Sequence, residues 1–239
     1  MILCLKSSPL NGGENLRKGL SAKFPRPFRK KTKALPQNAK VIQLRKLTTL
    51  YNFHTHHIGH EGERAIVQGR DCWGLHPWYV KPEMLSQTPP PGILAIGECG
   101  LDRLCQTPYD LQLRAFRMQI RLSESLGKPL ILHCVKALDD VLMLHREYRP
   151  RQPWVFHGFR GKPQQLRSIL SRGLYVSFGF RFREESLLVC PLSRLLLETD
   201  DDPRPVEALY IQVSRLLKIS PEELASQMEE HFLRLFSHP

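Results

Sequence analysis

Six side chains that can bind metal ions follow short apolar runs of this chain, at the points where strands would end. They are His54 and His56 in YNFHTHH, Glu98 in ILAIGECGLD, His133 in PLILHC, His157 in WVFHGF and Asp200 in LLLETD. Imidazole and carboxylate are the ligands of hydrolytic metals. A polar group that ends an apolar run is costly to bury unless it is paired or binds an ion. We therefore expect the six side chains to converge on one metal site.

The number and type of these ligands indicate a pair of ions. His54 and His56 are two residues apart, so in a strand both would point to the same face and could hold one ion. Six ligands exceed what one tetrahedral ion needs, and a carboxylate such as Glu98 can bridge two ions ~3.5–4 Å apart that activate a water between them. Nitrogen and oxygen ligands suit Zn²⁺, Mn²⁺, Mg²⁺ or Fe²⁺, and the sequence does not choose among these four.

The elements that must position these ligands alternate between short apolar runs and helical stretches. This alternation predicts an α/β fold with a parallel sheet. Eight strands are expected, the number that closes a TIM-like (β/α) barrel. They span residues 50–53, 65–68, 72–75, 93–97, 130–133, 154–157, 174–178 and 195–198.

Helices are expected mainly in the later part of the barrel. Thr107 and Pro108 have the types of an N-cap and a first helical residue, and Gly127 has the type that ends a helix. Only 19 residues separate His56 from His76, too few for two complete strand-and-helix units. We therefore expect a shortened barrel whose outer helices are missing in the first third.

The basic residues are concentrated at the amino terminus. The formal net charge is +12, yet residues 1–46 contain 12 Lys and Arg residues against one acidic residue, Glu14. This segment lacks sustained apolar periodicity, so we predict that it is disordered and that the barrel spans residues 47–239. It could be a solvated tail, a nucleic-acid-binding or targeting arm, or the product of a start codon assigned too far upstream.

The composition also indicates where the protein acts. No run approaches the roughly 18 apolar residues of a membrane span, so we expect no membrane association. None of the six cysteines forms a C-x-x-C pair, and a chain of 239 residues does not need a disulfide scaffold. Reduced thiols in a cytoplasmic protein are expected, and nothing in the sequence indicates a protein partner.

Taken together, the ordered motifs resemble the TatD family of metal-dependent hydrolases, within the amidohydrolase-like barrel superfamily. The resemblance covers about residues 50–236 and rests on HTHH, GLHPW, IGECGLD, LHC, FHGF and LLLETD. Members of the family are DNases that often act on DNA ends. The resemblance implies one ion held by His54, His56, Glu98 and Asp200, and a second held by Glu98, His133 and His157.

Several further residues could contribute to catalysis or binding. With Glu98 and Asp200, we assign His76 of GLHPW a catalytic role, orienting the scissile phosphate or the leaving group; a structural histidine before Pro77 is the alternative. Three cations that follow ligand-bearing strands could pair with phosphate or be solvated loop charges: Lys136, Arg160 and Lys162. Glu198 could support the ligands, and Asp102 is expected to fix the loop after Glu98.

The sequence departs from the family pattern at three positions, which bears on the substrate. Lys136 stands where the family usually has Arg, Arg103 where it has Tyr, and His231 where it has Asn. The ligands themselves are intact. We therefore predict a metal-dependent phosphodiesterase that acts on DNA. The alternatives are a barrel hydrolase of amide or ester bonds and a non-catalytic binding protein on a reduced barrel.

Overall fold

The computed structural model describes residues 49–236, and the predicted disordered segment 1–46 lies outside this range. All eight predicted strands are present, and their order in space follows their order in the chain. The strands are β1 Leu50–Thr55, β2 Glu63–Val67, β3 Cys72–Trp73, β4 Ala95–Asp102, β5 Leu130–Val135, β6 Trp154–Phe156, β7 Tyr175–Phe178 and β8 Leu195–Leu197.

Every pairing between these strands is parallel. β3 to β8 form one six-stranded sheet, and β1 pairs with β2 in a second sheet. Two single bridges connect the sheets, from Thr55 to Asp200 and from Gln68 to Cys72. The fold is therefore α/β with the strand order of a TIM-like barrel, and the carboxyl ends of the strands meet at one edge.

The helices are confined to the later part of the described chain, as the short spacing between His56 and His76 predicts. Between β1 and β4 the described chain holds only a 3₁₀ turn, Pro82–Ser86. The α-helices are α1 Tyr109–Leu126, α2 Leu138–Tyr148, α3 Pro163–Leu170, α4 Glu184–Leu188, α5 Val206–Leu217 and α6 Pro221–Phe236.

The boundaries of α1 agree with the prediction from the sequence at the carboxyl end only. Gly127 caps its carboxyl end in the left-handed conformation, with φ of 65°. The prediction that Thr107 caps its amino end is wrong, because Pro108 occupies the cap position. The Thr107 hydroxyl donates instead to the carbonyl of Trp78, 3.1 Å away, and so fastens the loop after β3.

Two buried glutamines on α1 hold the loops that lead into the site. The side chain of Gln119 bonds both the N–H and the carbonyl of Leu75, at 2.7 and 3.1 Å. The side chain of Gln112 bonds the N–H and the carbonyl of Asp102, at 2.8 and 3.0 Å. Because α1 itself packs on β4, these bonds fix the ends of β3 and β4 against each other.

The core lies between the sheet and the helices and inside the ring of strands. Strand residues such as Ile131, Leu132 and Val155 are fully buried, as expected for parallel strands covered on both faces. Phe232 of α6 packs against Tyr51 of β1, with ring centroids 4.8 Å apart and the rings tilted by 53°. No helix among the described residues is long and apolar enough to cross a membrane.

Candidate metal centre

The Glu98 carboxylate lies at the centre of a cluster of imidazoles and is almost completely buried. Its Oε1 atom lies 2.6 Å from His54 Nε2 and 3.1 Å from His56 Nε2. Asp200 completes this side, with its Oδ1 atom 3.7 Å from His56 Nε2. Ligand atoms of these four residues lie within 4.8 Å of one another, close enough to hold one metal ion.

The second oxygen of Glu98 faces three further histidines. Its Oε2 atom lies 3.0 Å from His76 Nε2, 3.6 Å from His157 Nε2 and 3.9 Å from His133 Nδ1. The last two nitrogens lie 3.4 Å apart. Glu98 is thus shared between two groups of donors, and all of the residues predicted from the sequence to form the site converge here.

Glu98 reaches this position because β4 is irregular. The sequence places Glu98 after its strand, whereas in the structure it lies inside β4, where the register with β5 shifts between Ile96 and Cys99. Such a bulge re-aims a side chain. Gly100 allows the close approach that follows: it has a φ of 132°, and a Cβ atom there would lie 2.1 Å from the carbonyl oxygen of His133.

A buried polar network joins β1 to the segment after β8. The Asn52 side chain donates to Thr199 Oγ1 at 3.0 Å and accepts from the Thr199 N–H at 3.1 Å. The Thr199 hydroxyl also donates to Thr55 Oγ1, and the N–H of His56 donates to the carbonyl of Asp200. These contacts hold Asp200, which has a positive φ of 56°, beside His54 and His56.

Two carboxylates orient the histidines on the Oε2 side. Asp102 Oδ2 lies 3.0 Å from His133 Nε2 and accepts a 2.6 Å bond from Trp78 Nε1. Glu198, fully buried, has its Oε1 atom 3.4 Å from His157 Nδ1. In each case one ring nitrogen is engaged, so the other is presented to Glu98, the usual arrangement behind metal-binding histidines.

The charges in the cluster depend on one another. Burial alone would raise the pKa of Glu98, but the charge of His157 and the bonds from His54 and His56 outweigh it and keep that pKa far below its ordinary value. Burial would lower the pKa of His157, yet Glu98 and Glu198 raise it to about 10. Burial and the neighbouring His157 lower the pKa of His133 to about 4.

The donors of the cluster favour a positive charge between them. Asp200 lies in one group of donors with Glu98 and in another with Glu198, and Glu98 and Glu198 raise the pKa of His157. A divalent cation would offset the charge of these carboxylates, and a histidine with a lowered pKa, such as His133, is available as a neutral ligand. The donor set therefore fits divalent metal ions.

The contacts of His76 distinguish it from the other histidines. Its Nδ1 atom accepts a 3.1 Å bond from the backbone N–H of Trp78, so the ring proton lies on Nε2, which faces Glu98. A nitrogen that carries a proton is a donor. This geometry favours proton donation by His76 over its use as a ligand.

A cleft opens beside Asp200. It has a volume of about 180 Å³ and is lined by Arg160, Phe180 and Arg181, among others. The Arg160 guanidinium lies 4.0 Å from Asp200 Oδ2, and the Arg204 guanidinium covers the Phe180 ring at 3.7 Å. Of the three cations singled out from the sequence, Arg160 is the one with an ion pair to a site residue among the described contacts.

Some residues of the site could not be recognised from the sequence. Asn52, Thr55 and Thr199 are buried polar residues beside ligands, but short polar residues at strand ends are common and their partners are distant in the chain. The contact of Asp102 with His133 likewise joins residues 31 positions apart. The only signal available was closeness in the chain to a predicted ligand: to His54 for Asn52 and Thr55, to Asp200 for Thr199, and to Glu98 for Asp102.

A family model described as TatD related DNase matches residues 23–237 of this chain. The match begins upstream of residue 47, where the sequence predicts that the domain begins. An uncharacterised metal-dependent hydrolase of Buchnera aphidicola is 30% identical over 194 residues, which are 70% of this chain and 73% of that protein.

Other relatives carry a named activity. A protein of Salmonella typhimurium named 3'-5' ssDNA/RNA exonuclease TatD is 33% identical over 166 residues. That match covers 59% of this chain and 63% of the relative, so the chain spans less than two thirds of its length.

A solved structure confirms the fold. The crystal structure of a TatD homologue from Escherichia coli K12 has a TM-score of 0.60 and 22% identity. The alignment covers 84% of this chain and 82% of that one.

Proposed function

Because this chain belongs to the family of TatD-related DNases, we propose that it is a metal-dependent hydrolase that cleaves phosphodiester bonds in DNA. The observation that carries the proposal is the convergence of five histidines and Asp200 on the single buried carboxylate of Glu98. The relative named as an exonuclease for single-stranded DNA and RNA supports phosphodiester rather than amide chemistry.

We assign two divalent ions to this cluster. His54, His56, Glu98 and Asp200 would hold the first, and Glu98, His133 and His157 the second. When bound, such ions polarise a phosphate oxygen and lower the pKa of a water molecule between them. The donors are nitrogen and oxygen, so Zn²⁺, Mn²⁺, Mg²⁺ and Fe²⁺ are the candidates.

The residues of the chain supply the remaining steps. Asp200 would accept the proton of the attacking water, because it lies at the edge of the cluster nearest the open cleft. His76 would donate its Nε2 proton to the leaving oxygen, which then departs as a neutral hydroxyl. Arg160, 4.0 Å from Asp200, is placed to pair with a phosphate oxygen.

We also propose a cytoplasmic location, which the thiols support. Among the described cysteines, Cys72, Cys99, Cys105, Cys134 and Cys190 are all unpaired. Free thiols are typical of reducing compartments, which supports a cytoplasmic location.

A substrate panel tests the proposed reaction. The full chain is loaded in turn with each of the four metals and assayed on single-stranded DNA, bis-p-nitrophenyl phosphate and a small amide. We expect turnover of both diesters, lost on chelation and restored by metal. Turnover of the amide alone would favour the amidohydrolase alternative. Stoichiometric metal without turnover of any substrate would favour a binding protein.

A further inference from the structure

Two exposed aromatic rings stand at the rim of the metal centre. Trp78 and Tyr79 lie in the loop after β3, separated from His76 by Pro77, and 50% and 67% of their surface is exposed. Large apolar side chains that remain exposed side by side mark binding surfaces when they adjoin a polar site. Trp78 and Tyr79 lie 5.2 and 5.5 Å from the His76 ring, measured between ring centroids. The pair is therefore continuous with the cluster around Glu98.

The indole of Trp78 is held in place rather than free to turn. Its Nε1 atom donates to Asp102 Oδ2 at 2.6 Å, and its ring meets that of His133 at 5.6 Å and 78°. The backbone of Trp78 is fixed as well, since its N–H donates to His76 and its carbonyl accepts from Thr107. A ring fixed in advance loses little conformational entropy when a ligand packs on it.

The opposite side of the metal centre has a different character. There Arg160 and Arg181 line the cleft beside Asp200, and the ring of Phe180 is already covered by Arg204. Cations on one side and uncovered aromatic rings on the other match the two halves of a nucleotide chain. Phosphates pair with guanidinium groups, and unpaired bases stack on aromatic faces.

From this asymmetry we propose that Trp78 and Tyr79 form a stacking platform for an unpaired nucleobase next to the scissile phosphodiester. The inference rests on the proposed phosphodiesterase function and deepens it, because it assigns Trp78 and Tyr79 to the binding of the base next to the cleaved bond. A base inside a duplex is paired and stacked on both faces, so it cannot use the platform.

The test compares a strand that carries the base with one that lacks it. The parent and Tyr79→Ala are assayed on a single-stranded oligonucleotide and on the same oligonucleotide with abasic residues at its end. We expect the parent to favour the intact strand by about 10-fold in KM, and Tyr79→Ala to lose this preference. Tyr79→Phe, which keeps the ring, should retain it. Leu188→Ala, which removes another exposed apolar side chain far along the chain, is the control.

A binding measurement gives a second readout that does not depend on turnover. Trp78 is the most exposed of the three tryptophans, so a base stacked on it should quench the fluorescence. In the presence of chelator the intact oligonucleotide should quench the parent but not Trp78→Phe, and the abasic strand should quench neither. Equal KM values for the two strands in the parent, with normal cleavage, would overturn the platform and leave the proposed function standing. Failure to cleave either strand would instead refute the proposed function.

Discussion

The Nε2 atom of His133 lies 3.0 Å from Oδ2 of Asp102, and this contact turns the other ring nitrogen toward Glu98 and His157. Asp102 is buried and also receives bonds from Trp78 Nε1 and from the backbone of Leu104. Burial would raise the pKa of Asp102, but the bonds from Trp78 and His133 outweigh it and lower that pKa. Asp102 therefore stays ionised and can fix the orientation of His133.

Replacing Asp102 should weaken the binding of one of the two proposed ions. In Asp102→Ala the ring of His133 loses its fixed orientation, and we expect affinity for one ion to fall by about 10–100-fold while the other ion is retained. Metal titration by calorimetry measures both affinities. Asp139→Ala, an exposed carboxylate on α2, is the matched control. Unchanged affinity for both ions in Asp102→Ala would show that His133 needs no such support.

His76 should affect the rate and not the metal content. Because its Nδ1 atom accepts from the backbone of Trp78, Nε2 carries the proton and acts as a donor. We expect His76→Ala to lower kcat/KM by about 10²–10⁴-fold at an unchanged number of bound ions. Elemental analysis gives the number of ions bound per chain, and steady-state kinetics on a diester gives kcat/KM. Loss of an ion in His76→Ala would identify His76 as a ligand, which its distance from Glu98 and His133 also permits.

Gly100 should be irreplaceable for steric reasons. A Cβ atom there would lie 2.1 Å from the His133 carbonyl oxygen, whereas Gly173, also at positive φ, has nothing within 4 Å. Gly173→Ala should lower the free energy of unfolding only by the backbone strain of an alanine at positive φ, about 1–3 kcal/mol. We expect Gly100→Ala to lower the free energy of unfolding by more than this, as measured in urea. Equal losses in the two variants would mean that β4 and β5 can separate at no cost.

The disorder of residues 1–46 remains a prediction from composition. The segment has too few apolar residues to offset the entropy that it would lose on ordering. Its deletion should therefore leave the Tm of the chain unchanged. Because the family match begins at residue 23, deletions of 1–22 and of 1–46 are compared by thermal unfolding. A drop in Tm confined to the longer deletion would place the start of the domain upstream of residue 47.

The strands and the residues that converge on Glu98 could be predicted from the sequence because both depend on local pattern. That these residues bind metal stays a prediction. An apolar run followed by His133 or Asp200 predicts a buried strand of a parallel sheet with that residue near its carboxyl end. The bulge that draws Glu98 into β4, the cap at Pro108 and the contact of Asp102 with His133 could not be predicted. Each of these depends on how separate segments pack, and neither spacing nor residue type encodes that packing locally.

Glu98 provides the most direct test of the account, because both proposed ions share its carboxylate. Glu98→Gln keeps the size of the side chain and removes its charge. The parent and this variant are compared for ions bound per chain and for turnover of single-stranded DNA at saturating metal. We expect two ions and metal-dependent cleavage in the parent, and fewer ions with turnover at background in the variant. Near-normal turnover in Glu98→Gln would contradict the two-metal mechanism.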